Sequence, residues 1–378
     1  TKVLSIKESM SIARTAKATV IANVLADLDE VINGNYLPTS YDADNKGRIT
    51  RWAAMAIKAK IYLFEGNWTQ VKNITSTIMT EGGFKLFGSY AGLFEIANEY
   101  NSEVILDAQY RPTSREHQMM YVFLPPTLGG YSQLSPLQEL VDSYIMLDGK
   151  TIKETGTSFD ESHPYANRDP RLKATVMYTG NSYTLADGTE VVINCEKGEG
   201  KDGYGVGSDC SATGYYIKKY WDNTYRATLY SGLNPILIRY ADILLMNAEA
   251  LAELGELDKT AWDATIKPIR DRAGFTLASA LEFPEGASKD KLIEIVRNER
   301  RSELALEGHR HKDIIRWRIA DNVLNGWCHG LKTNDVVGTD DGYVRVENRT
   351  FNANKHYLWP IPQAERDLNG NLEQNPNW

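Results

Sequence analysis

Two segments that lie far apart in the chain repeat the same order of residue types. Each has a small residue, then a large residue, then a glycine and then a second large residue, and the two segments align without gaps. The matched positions are Ala59 with Ala248, Tyr62 with Leu251, Gly66 with Gly255, and Trp68 with Leu257. A small residue lets two helices approach closely, and a glycine ends a helix in a left-handed turn. The repeated order therefore predicts two antiparallel helix pairs.

The same order is similar to that of a tetratricopeptide (TPR) helix-turn-helix unit. Apolar residues recur at helical spacing around both segments. They do so again in a third block, at about 290–320, whose polar side is rich in Glu and Arg. The predicted fold class is mainly α: a TPR-like α-α superhelix with a large irregular, loop-rich lobe that contains a few short strands. Two unrelated helix pairs remain the alternative. Helix pairs are predicted at about 19–80, 236–275 and 290–320.

The remaining chain has weak helical periodicity and is rich in Gly, Pro, Tyr, Asn and Asp. Within it, Glu103 to Gln109 and Glu190 to Asn194 are typical of short strands, and Leu137 to Ile145 is predicted as a short helix. We expect one domain over residues 1–378, with the irregular lobe at about 83–235 and 321–378. An irregular region of this length usually has a function.

The charge balance excludes some partners. With 42 Lys and Arg against 50 Asp and Glu, the formal charge is −8. Such a chain lacks the basic surface that a phosphate backbone requires, so no nucleic-acid partner is expected. No uninterrupted apolar stretch has the length of a membrane span.

Two nucleotide-binding patterns are incomplete. Gly198 to Gly203 has the spacing of a dinucleotide fingerprint, but no amphipathic helix follows to face a pyrophosphate. Gly149 to Thr151 has the end of a P-loop, yet Tyr144 stands where its first glycine belongs. The serine-hydrolase pattern G-x-S-x-G and the zinc-protease pattern H-E-x-x-H do not occur in the chain. We therefore expect no catalytic residues and no cofactor.

A metal site is not expected either. His309 and His311 are two residues apart, so on a helix they point to different faces. Cys195 and Cys210 flank a glycine-rich loop, and the sequence leaves open whether they form a disulfide.

Three glutamates, Glu299, Glu303 and Glu307, lie four residues apart on one predicted helix face. Paired carboxylates are what a glycoside hydrolase needs. However, Arg300 and Arg301 lie among them, and carboxylates paired with arginine are poor general acids. The pattern favours a solvated or inter-helix ion-pair network, with an α-helical glycoside hydrolase as an alternative.

Aromatic residues with polar groups are in excess, with 21 Tyr and 8 Trp against 9 Phe. Such rings suit half-exposed surfaces, where they can stack on the apolar faces of sugars. Rings on predicted helix faces, such as Tyr62 and Trp68, are assigned to packing. The ligand-binding candidates lie in loop-like sequence: Tyr131 with the nearby Gln133, Tyr165, Trp221 and Trp327.

Several longer segments resemble the SusD/RagB family of bacterial surface glycan-binding lipoproteins. They span nearly the whole chain in order: GRITRWAAMAIKAKIYLFEGNW at 47–68, NSEVILDAQY at 101–110, ILIRYADILLMNAEALAELGEL at 236–257, NERRSELALEGHRHKDIIRW at 298–317, and WPIPQAE at 359–365. The chain departs from the family in ending Asn-Pro-Asn-Trp rather than Asn-Pro-Gly-Tyr. Family members usually extend further at the N-terminus, so we expect a preceding part, including the lipidated cysteine, outside this chain.

The resemblance implies a non-catalytic protein on the outer membrane that captures an oligosaccharide or a peptide. It implies a SusC-like TonB-dependent transporter as the partner and a lipid anchor outside this chain. By family position, the loop with Gly130 and Tyr131 is expected to meet the ligand, followed by Tyr165 and Trp221. A TPR scaffold that binds only protein partners is the competing interpretation.

Overall fold

The computed structural model describes residues 3–224 and 228–378. Its helices, in chain order, are α1 (Ile6–Ser9), α2 (Lys17–Asn33), α3 (Arg51–Glu65), α4 (Trp68–Glu81), α5 (Met119–Phe123), α6 (Gln138–Val141), α7 (Pro170–Thr175), α8 (Tyr240–Leu254), α9 (Lys259–Ala264), α10 (Ile266–Ala273), α11 (Ala278–Leu281), α12 (Lys289–Glu303), α13 (Arg310–Arg316), α14 (Ala320–Val323) and α15 (Gln363–Leu368). Its strands are β1 (Val104–Asp107), β2 (Val176–Met177), β3 (Ser182–Thr184), β4 (Glu190–Val192), β5 (Tyr216–Ile217), β6 (Ile236–Arg239), β7 (Gly326–Lys332), β8 (Thr339–Asp340) and β9 (Tyr343–Arg349). The predicted mainly α class is confirmed.

The two matched segments form the same turn. Gly66 after α3 and Gly255 after α8 both adopt left-handed backbone conformations, with φ of 70° and 75°. The next helix of each pair is then capped by a side chain, Asn67 for α4 and Asp258 for α9. This arrangement turns the chain back on itself within a few residues, as the glycine spacing predicts.

The long helices pack side by side as an array, in which α2 contacts α3, α3 contacts α4, α4 contacts α8, and α8 contacts α12. Ala59 and Ala248, the matched small residues, are fully buried. In the second pair, the helix after the turn is split at Thr265, whose hydroxyl donates to the carbonyl of Ala261 at 2.6 Å. The periodicity predicts one helix there.

The lobe contains small antiparallel sheets. β1 pairs with β6, β2 with β5 and β3 with β4, while β7, β9 and β8 form a three-stranded sheet in that order. β6 leads directly into α8, so the β1–β6 pair joins the lobe to the array. Buried rings and aliphatic side chains give the lobe a core of its own, which includes Tyr183 and Tyr216.

A buried ion-pair network lies where the lobe meets the array. Arg239 donates to Glu103 at 2.8 Å, to Glu303 at 2.6 Å and to Glu307 at 2.7 Å. On the same side, Arg171 reaches Glu303 at 2.8 Å. The three predicted glutamates thus belong to an inter-element network, and this network is buried rather than solvated.

The three cysteines are free thiols, which answers the question that the sequence leaves open for Cys195 and Cys210. Among the described residues, none of the helices has both the length and the apolar character needed to cross a bilayer.

Candidate functional site

A cleft of about 880 Å³ opens in the lobe, and tyrosines form much of its wall. We call it the tyrosine cleft and define it by Tyr165, Tyr178, Tyr215 and Tyr343 with Phe159. A volume of this size suits a small ligand such as an oligosaccharide.

Tyr165 is the centre of this wall. Its ring stacks on Tyr178 with centroids 3.9 Å apart and planes 17° apart. Its hydroxyl lies 3.2 Å from that of Tyr215, which in turn donates to the Gln138 side chain at 2.5 Å. Burial raises the pKa of Tyr165 to about 12, so the phenol stays neutral at physiological pH. The wall therefore combines apolar ring area with neutral hydrogen-bonding groups.

Arg168 fixes the loop that holds Tyr165. Its guanidinium donates to the backbone carbonyls of Pro164 at 2.7 Å, Val141 at 2.7 Å and Tyr144 at 3.2 Å. The side chain is buried, and its guanidinium is directed at main-chain oxygens. It therefore holds the loop in place and is not directed at a ligand.

The rim of the tyrosine cleft carries charges. Lys332 pairs with Glu161 at 2.6 Å and Lys197 pairs with Asp335 at 2.5 Å, and all four side chains are substantially exposed. Exposed pairs of this kind contribute little stability, so their groups are available to other polar partners.

Tyr131 and Gln133 do not line the tyrosine cleft. Gly129 has φ of 82°, and a Cβ on Gly130 would lie 2.1 Å from the carbonyl oxygen of Leu124, so this turn requires its glycines. The turn places Tyr131 against Tyr121, with ring centroids 4.3 Å apart, and leaves 40% of Tyr131 exposed. Gln133 is exposed as well.

The two predicted tryptophans have packing partners. The indole N–H of Trp221 donates to the carbonyl of Thr184 at 2.8 Å, and its ring lies 5.2 Å from that of Tyr183. Trp327 lies on β7, 42% exposed, with the guanidinium of Arg345 5.7 Å from its ring. Of the five predicted residues, only Tyr165 lines the tyrosine cleft.

Tyr178, Tyr343 and Phe159 also line the tyrosine cleft but are not among the residues predicted from the sequence. Tyr343 begins β9 in the C-terminal segment and meets Tyr165 only through the tertiary fold. The tyrosine excess and the loop-rich composition were the available signals, and neither assigns individual positions.

The glutamates that suggested hydrolysis are engaged elsewhere. The charges of Arg239 and Lys219 outweigh burial and lower the pKa of Glu307 to about 2. The pKa of Glu303 is held far below its usual range by Arg272, Arg239 and Arg171, again against burial. Neither carboxyl can carry a proton near neutral pH, which a general acid must do. Within residues 3–224 and 228–378, no cluster of His, Cys, Asp and Glu could hold a metal ion.

Comparisons with known proteins give a consistent result. Residues 93–378 match the model of the SusD family. Over 348 residues the chain is 28% identical to the SusD-like protein P25 of Formosa agariphila, covering 86% of this chain and 60% of that protein. The chain thus spans less than two thirds of the length of this relative.

Two solved structures are similar in both fold and sequence. A SusD-like carbohydrate-binding protein from Bacteroides fragilis superposes with a TM-score of 0.85 at 29% identity, covering 98% of this chain and 74% of that one. A second SusD-like protein from Bacteroides fragilis gives a TM-score of 0.82 at 28% identity, covering 100% of this chain and 74% of that one.

Proposed function

The chain belongs to the SusD family, and on this premise we propose that it binds an oligosaccharide in the tyrosine cleft without changing it chemically. The observation that carries the proposal is the stacked pair of Tyr165 and Tyr178, which together with Tyr343 lines a cleft of about 880 Å³. The solved relative described as carbohydrate-binding supports the ligand class.

The cleft supplies the two kinds of contact that a sugar needs. Apolar C–H faces of a pyranose pack against tyrosine rings, and the neutral phenols exchange hydrogen bonds with hydroxyls. The charged rim adds acceptors at Glu161 and Asp335 and donors at Lys332 and Lys197. Arg168 and the hydrogen bonds of the tyrosine hydroxyls hold the wall in place. The wall therefore loses little conformational entropy when a ligand binds.

The exposed turn at Tyr131 and Gln133 forms a second contact for a ligand longer than the cleft. In this proposal, a polysaccharide end occupies the tyrosine cleft and the chain continues over the surface toward Tyr131. Trp221 and Trp327 stay weaker predictions, since packing and a cation-π contact already account for their positions.

We further propose that the whole protein acts at the cell surface on the outer membrane, held by a lipid anchor outside this chain. There it would pass its ligand to a SusC-like TonB-dependent transporter. The family membership supports this cellular role.

Calorimetric titration against a panel of soluble polysaccharides and peptides tests the ligand class. We expect at least one glycan to bind, and we expect Tyr343→Ala to weaken that binding by tenfold or more. Tyr36→Ala is the matched control, because Tyr36 is 66% exposed and does not line the cleft.

Three outcomes would favour other interpretations. Binding of a peptide and of no glycan would assign the cleft to peptides. Binding of protein partners alone, unchanged in Tyr131→Ala and Tyr343→Ala, would favour the TPR scaffold. Release of shorter saccharides would favour a hydrolase, and unchanged release in Glu303→Gln would remove the glutamate row as its cause.

A further inference from the structure

A second cleft, of about 540 Å³, lies on the helical array, and one face of α12 forms its floor. We call it the arginine cleft. Asp290, Glu294, Arg297 and Arg301 follow one another along this face at helical spacing. Arg310, at the start of α13, and Trp317, just after α13, complete it.

At one end of the arginine cleft, the guanidinium groups of Arg310 and Arg301 form no hydrogen bond or ion pair with a carboxylate of the described residues. Arg310 is half-buried, and its guanidinium makes no hydrogen bond with any residue in the described part of the chain; the group lies 6.0 Å from the ring of Trp317. The carboxylate that acts on it, Asp313, is already bonded to Arg300 and Arg316.

Arg301 is in a similar position. Its guanidinium donates to the backbone carbonyl of Glu139, whose own carboxylate is bonded to His329. Burial and the neighbouring charge of Arg310 lower the pKa of Arg301 to about 10, so both groups remain cationic at neutral pH. Two adjacent, partly buried guanidinium groups that are not hydrogen-bonded to a carboxylate in the described part of the chain favour an anion between them.

The other end of the arginine cleft is acidic. Asp290 and Glu294 are exposed acceptors near the start of α12, and Arg297 is neutralised by Glu253 at 2.9 Å. Asp290 and Arg301 are eleven residues apart, which is about 16 Å along a helix. A uniformly anionic chain would be repelled at the acidic end. A ligand with an acidic group at one end and hydroxyl groups at the other fits both ends.

We propose that the arginine cleft is a second saccharide site, which takes an oligosaccharide through a carboxylate or sulfate group held between Arg301 and Arg310. Asp290 and Glu294 accept hydrogen bonds from hydroxyls of the following sugar units. The inference rests on the proposed function for the ligand class and extends it to acidic glycans.

Calorimetric titrations with maltotetraonate, which carries one carboxylate at one end, and with a maltotetraose that carries a single terminal sulfate test this site, with maltotetraose as the neutral reference. At least one acidic probe should bind, and Arg310→Gln should weaken it at least tenfold, as expected for the loss of a charge-assisted pair. Arg310→Gln removes no hydrogen bond of the described structure, so the variant should fold. Arg115→Gln, an exposed arginine outside the cleft, is the matched control and should change affinity less than twofold.

The inference is overturned if neither acidic probe binds, or if Arg310→Gln leaves their affinity unchanged. Binding of tetraglutamate in place of the saccharides, with the same sensitivity to Arg310→Gln, would overturn the saccharide assignment. The two proposals fail separately. If Arg310→Gln abolishes binding of the acidic probes while Tyr343→Ala affects no glycan, the proposal for the tyrosine cleft fails and the one for the arginine cleft stands.

Discussion

Glu303 shows how a single residue can be confined to a structural role. It is fully buried and accepts hydrogen bonds from Arg171, Arg239 and Arg272. A carboxylate held by three guanidinium groups has lost the freedom to exchange protons, although its place in the sequence pattern would suit catalysis. Its surroundings, and not its spacing, decide its chemistry.

Replacing Glu303 by glutamine should lower the free energy of unfolding by about 3–5 kcal/mol, because it leaves buried arginines without a counter-charge. Urea unfolding followed by circular dichroism measures this. Glu294→Gln is the control, since its side chain is 62% exposed and its one ion pair among the described residues is with Lys291. This variant should change stability by less than about 0.5 kcal/mol. Equal losses in the two variants would contradict the assignment.

His309 predicts a pH dependence. Burial lowers its pKa to about 4, and the guanidinium of Arg300 lies 3.3 Å from its Nδ1, which accepts only when the ring is neutral. The folded state thus disfavours the proton that an unfolded histidine binds near pH 6.5. The contribution to stability is fully present above pH 6.5 and is lost as the pH falls toward 4.

Free energies of unfolding at pH 7, 5.5 and 4 test this prediction. The wild type should lose stability over that interval, and His309→Gln should lose less over the same interval. A variant with the same pH profile as the wild type would exclude His309 as the cause.

At the scale of elements, the helix pairs were predictable from the sequence because their signals are local. A small residue, a glycine and a polar cap act within a few residues, and Gly66 and Gly255 adopt the expected turn. The strand predicted over Glu103 to Gln109 appears as β1, and the one over Glu190 to Asn194 appears as β4. The break at Thr265 was missed, although Pro268 in the first turn of α10 is a local signal for it.

The candidate site was less predictable because its walls come from distant parts of the chain. Tyr165 could be selected as a loop tyrosine, whereas Tyr178 and Tyr343 join it only when β2 and β9 are in place. A tyrosine in a loop and a tyrosine that anchors a core have the same sequence signal. Only tertiary contacts distinguish them.

The turn glycines give a prediction at this scale. Gly255→Ala should lower the free energy of unfolding by about 1–2 kcal/mol, because φ is 75° while the nearest atom to an added Cβ lies 4.0 Å away. Only backbone strain then contributes. Gly370→Ala, which has open space and an ordinary φ, should have a much smaller effect in the same urea titration. A neutral Gly255→Ala would contradict the role of the turn.

At the scale of the whole molecule, the array and the lobe are joined by buried charges as well as by β1 and β6. Arg239 lies at the start of α8 and binds Glu103 from the lobe and Glu303 from the end of α12. Separating the two parts would expose an incomplete set of buried charges on each side. The ion pairs therefore couple the hydrophobic core of the lobe to the clusters of the array.

The described chain should consequently unfold in one cooperative transition in differential scanning calorimetry. Agreement between the calorimetric and van't Hoff enthalpies would support this. Two resolved transitions, with lobe signals and array signals lost at different temperatures, would contradict the coupling.

The central claim is that an oligosaccharide occupies the tyrosine cleft, and a crystal structure of the complex tests it most directly. The protein should be crystallised with the glycan that binds most tightly in the panel. We predict a sugar ring packed against the wall formed by Tyr165 and Tyr178, within contact of Tyr343. A well-ordered saccharide bound elsewhere, with the tyrosine cleft empty, would contradict the account.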